Sequence, residues 1–589
     1  MIRHDVLIVG CGVAGMRAAI ELRRRAPQAD IAIVSKLYPV RAPSVAVHDG
    51  LAAALGYARS NAAGQPVPDM GAAPADTWQT HLADMLRTAA GLADPGLAEL
   101  ICRAAPAAVF ELEHWGMPFA RWPDGRLAQR AAPGHTQPRL AYADEQTGQQ
   151  VVQTLYGELL RHRVRVYPEW FVLSLALTDG VCHGMVALDL QSGQLAAMQA
   201  RVTLLATGGY GTLFQLTSQG SRATGDGLAA AYRAGLPLQD LEFVQWHALG
   251  LYGHGATLGD EPLAAGGSLL NGLGERFLQH YTPAQERAPQ PVILRAVAAE
   301  IEAGRGAGAA ADGVLLDLRH LDEAALRQLP RVLELARDLH GLDPRDEPLP
   351  VQPTAEFTLG GLPTDADGRV LDVQTGGERA ITGLFAAGAC AAGLHGALCL
   401  PGHGLLAALV SGQRAGAAIA AWLQVQACQG SALPPLPATA LEQARAEVEA
   451  LLASRGSERV AAIRRDLRVS MQQHVGPVRH AQGLTRQLGV LNELRERFSR
   501  VGLDDRSRRC NTELLEALEL ARLLDLSHAV VLAALERGES RGAHQRLDAP
   551  QTDEGWLGHT LVRTDAMGQP TVAMREAAPG SSAHVRSEP

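Results

Sequence analysis

Apolar residues fall into two rhythms along this chain: short unbroken aliphatic runs stopped by glycine, and longer stretches with apolar positions three and four residues apart. The first run, Val6-Leu-Ile-Val9, has no polar alternation and predicts a parallel strand buried on both faces. A helical pattern over 16–22 follows, then a second strand over 31–34. Residues 75–165 read as mostly helical, with clear helical spacing over 77–86 and 96–113. Strand patterns return at 165–167, 181–190 and 201–206, followed by a helix over 228–234. From about 240 to 352 the pattern is irregular, with Pro, Gly and short helices. Strand signals resume at 353–357 and 383–388. A Pro-rich linker spans 429–437, and helical spacing dominates 440–540, over 441–452, 478–497 and 512–535. The last ten residues, 580–589, read as a disordered tail.

This order predicts an α/β chain. A nucleotide-type domain over 1–239 and 353–428 is interrupted by a domain at 240–352, then followed by a helical domain at 438–540 and a short C-terminal piece at 541–589. Its 589 residues suffice for several cores, and no internal repeat is present. The formal net charge of −9 and the lack of a basic tract argue against a nucleic-acid surface. Seven cysteines without C-x-x-C spacing suggest no disulfide framework, metal site or iron–sulfur cluster, and fit a reducing compartment. The first strand begins too early to leave room for a signal peptide, and no apolar run reaches membrane-spanning length. The expected location is cytoplasmic, at a membrane only through partners.

The chemistry begins where the first strand ends. Gly10-Cys11-Gly12-Val13-Ala14-Gly15 places G-x-G-x-x-G between a strand and a helix, the arrangement that cradles a dinucleotide. The first glycine permits the tight turn, the second lets backbone approach a pyrophosphate, and the third lets helix and strand pack. The phosphates then meet the free N–H groups of the helix. A later strand runs into Thr207-Gly208-Gly209-Tyr210-Gly211, a second close backbone approach. Thr224-Gly225-Asp226-Gly227 precedes a helix, where Asp226 is a candidate N-cap and a candidate ligand contact at once.

The second strand ends at Ser35-Lys36-Leu37 and not at the acid usual for gripping a ribose. This stretch resembles the flavoprotein subunit of succinate dehydrogenase and fumarate reductase. Further matches run in order through Gly116-Met-Pro-Phe119, Ala206-Thr-Gly-Gly-Tyr-Gly211, Gly274-Glu-Arg-Phe277, His395-Gly-Ala397 and Glu539-Ser-Arg-Gly-Ala-His544. The resemblance covers nearly the whole chain. It implies a Rossmann-like FAD-binding domain with an inserted capping domain, a helical domain and a short C-terminal domain. It also implies an iron–sulfur partner and FAD contacts at Gly10, Cys11, Gly12, Val13, Ala14, Gly15, Ser35, Lys36, Leu37, Ala42, Ser44, Gly50, Gly208, Asp226 and Leu405. The histidine that carries covalent flavin in many members falls on Pro43, so FAD is expected to be noncovalent. The glutamate of a ribose-contacting motif falls on Ala389.

The family's dicarboxylate machinery is largely replaced. Its substrate arginine falls on Cys399, its proton-shuttling arginine on Gln290 with Pro291 beside it, its Thr-Glu pair on Gly259 and Asp260, and its second histidine on Glu356. His247 survives as the catalytic candidate. Cys399, His403, His395, Asp260, Glu261 and Glu356 lie on segments expected to line the pocket. Two carboxylates in a dry pocket need cations, so this set points to a neutral or cationic substrate. Three readings remain open: an FAD-dependent oxidoreductase with an altered substrate, a catalytically silent paralogue serving a complex, and a working succinate or fumarate enzyme with cations recruited from elsewhere.

Overall fold

The structure, a computed structural model, describes residues 1–56, 76–374, 377–428, 433, 435–565 and 568–577. The expected tail at 580–589 and most of the linker at 429–437 lie outside these residues.

Five parallel strands form the heart of the main sheet, in the order Arg165–Pro168, Ile31–Ser35, Ile2–Val9, Leu195–Leu205, Gly377–Ala386. Val6, Leu7 and Ile8 are fully buried in the middle strand, as an alternation-free run requires. The strand Leu195–Leu205 serves two partners. Its first half pairs antiparallel with Val181–Asp189, and its second half pairs parallel with the first strand and with Gly377–Ala386. Val9, Leu205 and Ala386 are therefore in register, and three glycine-bearing loops leave the sheet side by side at its carboxyl edge. That edge is where open α/β sheets place their ligands.

One face is covered by the helices Val13–Arg25 and His403–Cys428. They approach closely because Gly412 and Gly416 face Ala14 and Ala18: a Cβ at either glycine would stand 2.4 or 2.6 Å from the carbonyl oxygen opposite. The second of these helices corrects an expectation. At 26 residues it is long and apolar enough to cross a membrane by length and composition, and more than half of its most apolar window is buried inside the protein. Packed against the first helix, it is a core helix.

The strands Val244–Leu251, Leu349–Thr358, Val314–Asp317 and Ser268–Leu270 form a separate antiparallel sheet. The boundary drawn at 352 falls inside one of its strands. The helices Ala438–Ala453, Val460–Val475, Ala481–Phe498 and Thr512–Glu536 form the helical region. Beyond them, Gly558–Thr564 pairs with Leu238–Gln239 and Pro570–Glu576.

A buried ionic network ties this C-terminal piece down. Arg537 donates to Glu242 at 2.7 Å and to Glu539 at 3.0 Å, and Glu539 also receives Arg541 at 2.7 Å. The same segment lies on the 395–397 turn. Ala543 N donates to Ala397 O, and a Cβ on Gly542, whose φ is +52°, would stand 2.3 Å from that oxygen.

Candidate active site

The three loops enclose a cavity of about 650 Å³ that runs from the glycine turn to the small sheet. The glycines divide their work as the motif requires. A Cβ on Gly10 (φ +108°) would stand 2.2 Å from Ala206 O, and one on Gly15 would stand 2.1 Å from Gly10 O. A Cβ on Gly12 would meet nothing nearer than Ser44 Oγ at 3.8 Å, so this glycine faces open cavity. The helix that starts at Val13 has no side-chain cap and no acid in its first turn, which leaves its N–H groups free for an anion. A dinucleotide's pyrophosphate fits this cradle.

Of the residues expected to touch the cofactor, all but Gly15 and Gly50 line the cavity. Gly15 holds helix to strand, and Gly50 (φ +115°) sits against Ala141 O. Lys36 and Asp226 come together. The Lys36 ammonium donates to Asp226 and Thr224, each at 2.5 Å, and to Glu519 at 2.9 Å. Asp226 is not the N-cap: Gly225 occupies that position in the left-handed conformation, Asp226 opens the helix, and its carboxylate accepts from Thr224 and Lys36. Glu519 was not anticipated. It is fully buried on Thr512–Glu536 and also pairs with Arg464 at 3.0 Å and Arg222 at 3.3 Å. Burial alone would raise its pKa, but these three cations bring it below the usual carboxylate value. An acid at helical spacing from Leu515 and Leu523, on the buried face of the helix, was the available signal.

The far end of the cavity carries His247, Asp260, Gln290, Gln245, Glu356, Cys399 and Asp49. His247 Nε2 lies 3.1 Å from Asp260 Oδ1, and the Gln290 amide donates to the same oxygen at 2.7 Å. Gln290 Oε1 accepts from Ala248 N, and in the neutral ring His247 Nδ1 accepts from Leu249 N, so backbone orients both side chains. Burial works against a charged imidazole here, yet the Asp260 hydrogen bond and the charges of Asp260, Glu356 and Asp49 raise His247 to about 9. For Asp260 burial pulls upward, and His247 and Gln290 bring it below its ordinary value. Gln245 bridges Glu356 Oε2 at 3.1 Å and Cys399 N at 3.0 Å.

Asp49 was also missed; its place beside Gly50, in a stretch expected to meet the cofactor, was the cue. Burial first, then Glu356, Glu261 and Asp260, push its carboxyl up to about 7. Burial and the charges of Glu356 and Asp49 hold the Cys399 thiol well above its ordinary value, which works against a reactive thiolate, and it donates to Leu400 O. His403, His395 and Glu261 do not line the cavity. Three arginines do line the cavity: Arg222, paired with Glu519, Arg87, paired with Asp84 at 2.6 Å, and the exposed Arg287.

Fold, cradle and cavity define a dinucleotide-binding flavoprotein of the oxidoreductase class. Residues 5–405 match the FAD binding domain, and residues 464–585 match the fumarate reductase flavoprotein C-terminal domain. The chain is 36% identical to a succinate dehydrogenase flavoprotein subunit of Coxiella burnetii, over 96% of this chain and 95% of that one. It is 37% identical to a fumarate reductase flavoprotein subunit of Mycobacterium tuberculosis, over 96% of each. The solved quinol fumarate reductase flavoprotein of E. coli superposes with a TM-score of 0.87 at 33% identity, covering 98% of this chain and 97% of that one. An adenylylsulfate reductase from Archaeoglobus fulgidus, at 20% identity and a TM-score of 0.73, shares the fold. The chain belongs to the succinate dehydrogenase/fumarate reductase flavoprotein subunit family, and its cofactor is FAD.

Proposed function

We propose that this chain is the flavoprotein subunit of an electron-transfer complex that oxidises or reduces a small neutral or cationic substrate in place of a dicarboxylate. The observation that carries this reading is the composition of the substrate end. Asp49, Asp260 and Glu356 face one region lined otherwise by Gln245, Gln290, His247 and Cys399. A dicarboxylate entering there would meet Asp260 and Glu356, a partly protonated Asp49, and a His247 already paired with Asp260, at a cost of several kcal/mol per unpaired group.

Bound FAD supplies hydride chemistry at its flavin ring. The chain supplies the rest. Lys36, Asp226 and the glycine cradle hold the dinucleotide, with noncovalent attachment because Pro43 lines the cavity where a linking side chain would be needed. His247, paired with Asp260, is the group placed to give or take a proton at the substrate. Gln290 orients that pair through its amide. An iron–sulfur subunit is the expected electron partner, and through it the chain would sit at the cytoplasmic face of a membrane.

The test is anaerobic bleaching of the bound flavin by a panel of succinate and neutral or cationic saturated analogues of similar size. Bleaching by uncharged or cationic members and not by succinate is expected. Succinate turnover at an ordinary enzymic rate, about 1–1000 s⁻¹, overturns the reading. One observation favours a dicarboxylate instead: Arg287 is exposed at the rim and could swing inward. Succinate turnover that is lost in Arg287→Gln would establish that alternative. A chain that takes up no FAD would be the silent paralogue.

A further inference from the structure

Away from the dinucleotide cavity, three donor side chains without a part in the chemistry above meet in the core. His81 stands on the helix Trp78–Thr88, Cys102 on the helix Pro95–His114, and His403 opens the helix His403–Cys428. Each is at most 1% exposed. Their donor atoms all lie within 4.8 Å of one another. The imidazoles meet edge to face, with Nε2 to Nε2 at 2.7 Å. Met85, one helical turn beyond His81, brings its thioether to 3.9 Å from the Cys102 thiol.

Ordinary packing leaves this group poorly satisfied. The two rings share one hydrogen bond, and both Nδ1 atoms are buried without a partner. An unmade buried hydrogen bond costs about 1–3 kcal/mol. Among the described residues no hydrogen bond at Nδ1 locks either ring, so both can shift to present Nε2 to a guest, at the loss of the one bond they share. Among the described residues, the polar contact of the thiol is the Met85 sulfur.

We propose that His81, Cys102 and His403 form a closed binding site for a soft or borderline d¹⁰ cation, Cu⁺ or Zn²⁺, with Met85 as a weak fourth ligand. Two imidazole nitrogens, a thiolate and a thioether are the donors such ions select. Bond lengths of about 2.0–2.3 Å place donors about 3.3–3.7 Å apart. The two rings must separate by about half an ångström from their present contact, and the widest donor pair, within 4.8 Å, must close by about one. On binding, the Cys102 S–H bond breaks, its proton leaves to solvent, and a sulfur–metal bond forms without change of oxidation state. Cu⁺ with one thiolate is neutral, which suits a site shut off from water better than the net positive charge that Zn²⁺ would leave. No linear motif could reveal the site, because its ligands come from three separate helices. The ion would staple those helices and so fix the start of His403–Cys428, whose Gly404 and Leu405 line the FAD cavity.

The test uses the full chain with its FAD. It is stripped with a chelator, then loaded anaerobically with Cu⁺ or Zn²⁺ in separate arms, and metal per chain is measured. X-ray absorption reads the shell of bound atoms, and FAD content serves as the folding control. One tightly held equivalent of either ion, with a mixed nitrogen and sulfur shell, is expected; Cys102→Ala should lose the sulfur shell and the ion while keeping FAD. The proposal is overturned if wild type retains no ion after loading, or if Cys102→Ala and His403→Asn bind it as wild type does.

Discussion

Asp260 Oδ1 lies 3.1 Å from His247 Nε2 inside the cavity. The pair joins the one histidine kept from the family's site to an acid at the position of the family's glutamate. Gln290, at the position of the missing arginine, donates to the same oxygen at 2.7 Å.

Asp260→Asn should lower the His247 pKa from about 9 toward or below its ordinary 6.5, because the hydrogen bond and the charge that raise it are both removed. The raised value also predicts a pH window. Stability contributed by charged His247 is full below about pH 6.5 and is lost as pH rises through about 9. The lowered Asp260 makes its own contribution above the unfolded carboxyl pKa and loses it as pH falls. Urea melts across pH 2–10 in wild type and Asp260→Asn check both signs, and a histidine NMR titration reads the pKa.

Asp49 has the opposite sign. An acid raised to about 7 holds its proton in the folded chain after the unfolded chain has lost it, so its presence destabilises progressively between about pH 4 and 7. Asp49→Asn should raise the melting temperature at pH 8 and leave it little changed at pH 4. Thermal melts at the two pH values decide this.

Glu519→Ala should cost on the order of 3 kcal/mol at pH 7, because it leaves Lys36, Arg222 and Arg464 around an uncompensated buried space. Lys36 keeps Asp226, so FAD is expected to remain bound below the new melting point. Denaturant unfolding with and without added FAD measures both effects.

Gly12→Ala and Gly15→Ala should separate binding from folding. The first places its methyl in open cavity, so the chain should fold with a wild-type melting temperature and bind FAD at least tenfold more weakly. The second forces a methyl to 2.1 Å from Gly10 O and should prevent a stable fold. Circular dichroism and flavin absorbance, read together, distinguish them.

Acid precipitation of the purified yellow protein should leave the FAD in the supernatant. Flavin in the pellet would place a covalent link at a residue other than Pro43.

How much of this was legible beforehand follows from physical range. Val6–Val9 and the glycines announced themselves because burial on both faces and a tight turn are local demands. The helix Val460–Val475 was covered only by the general helical reading of 440–540, since Arg and Gln interrupt its apolar stripe. Asp226 was placed one residue wrong as a cap, because Gly225 adopts the left-handed conformation that moves the helix start forward. The membrane-length helix went unnoticed because its glycines and alanines dilute hydropathy while serving close packing against Ala14 and Ala18. Asp49 and Glu519 carried only faint local cues, and the meeting of His81 with His403 depends on chain segments that only the fold brings together.

The contact between Gly542 and Ala397 sets an order of assembly. The turn that leads to Cys399 is held from below by residues near the chain's end, so during synthesis the dinucleotide half can be complete while the substrate half still lacks its floor. A chain released early would be able to carry a coloured cofactor and have no finished place for a substrate beside it. A chain cut short before Gly542 should therefore fail at the pocket, even though no described residue beyond Ala408 lines the cavity.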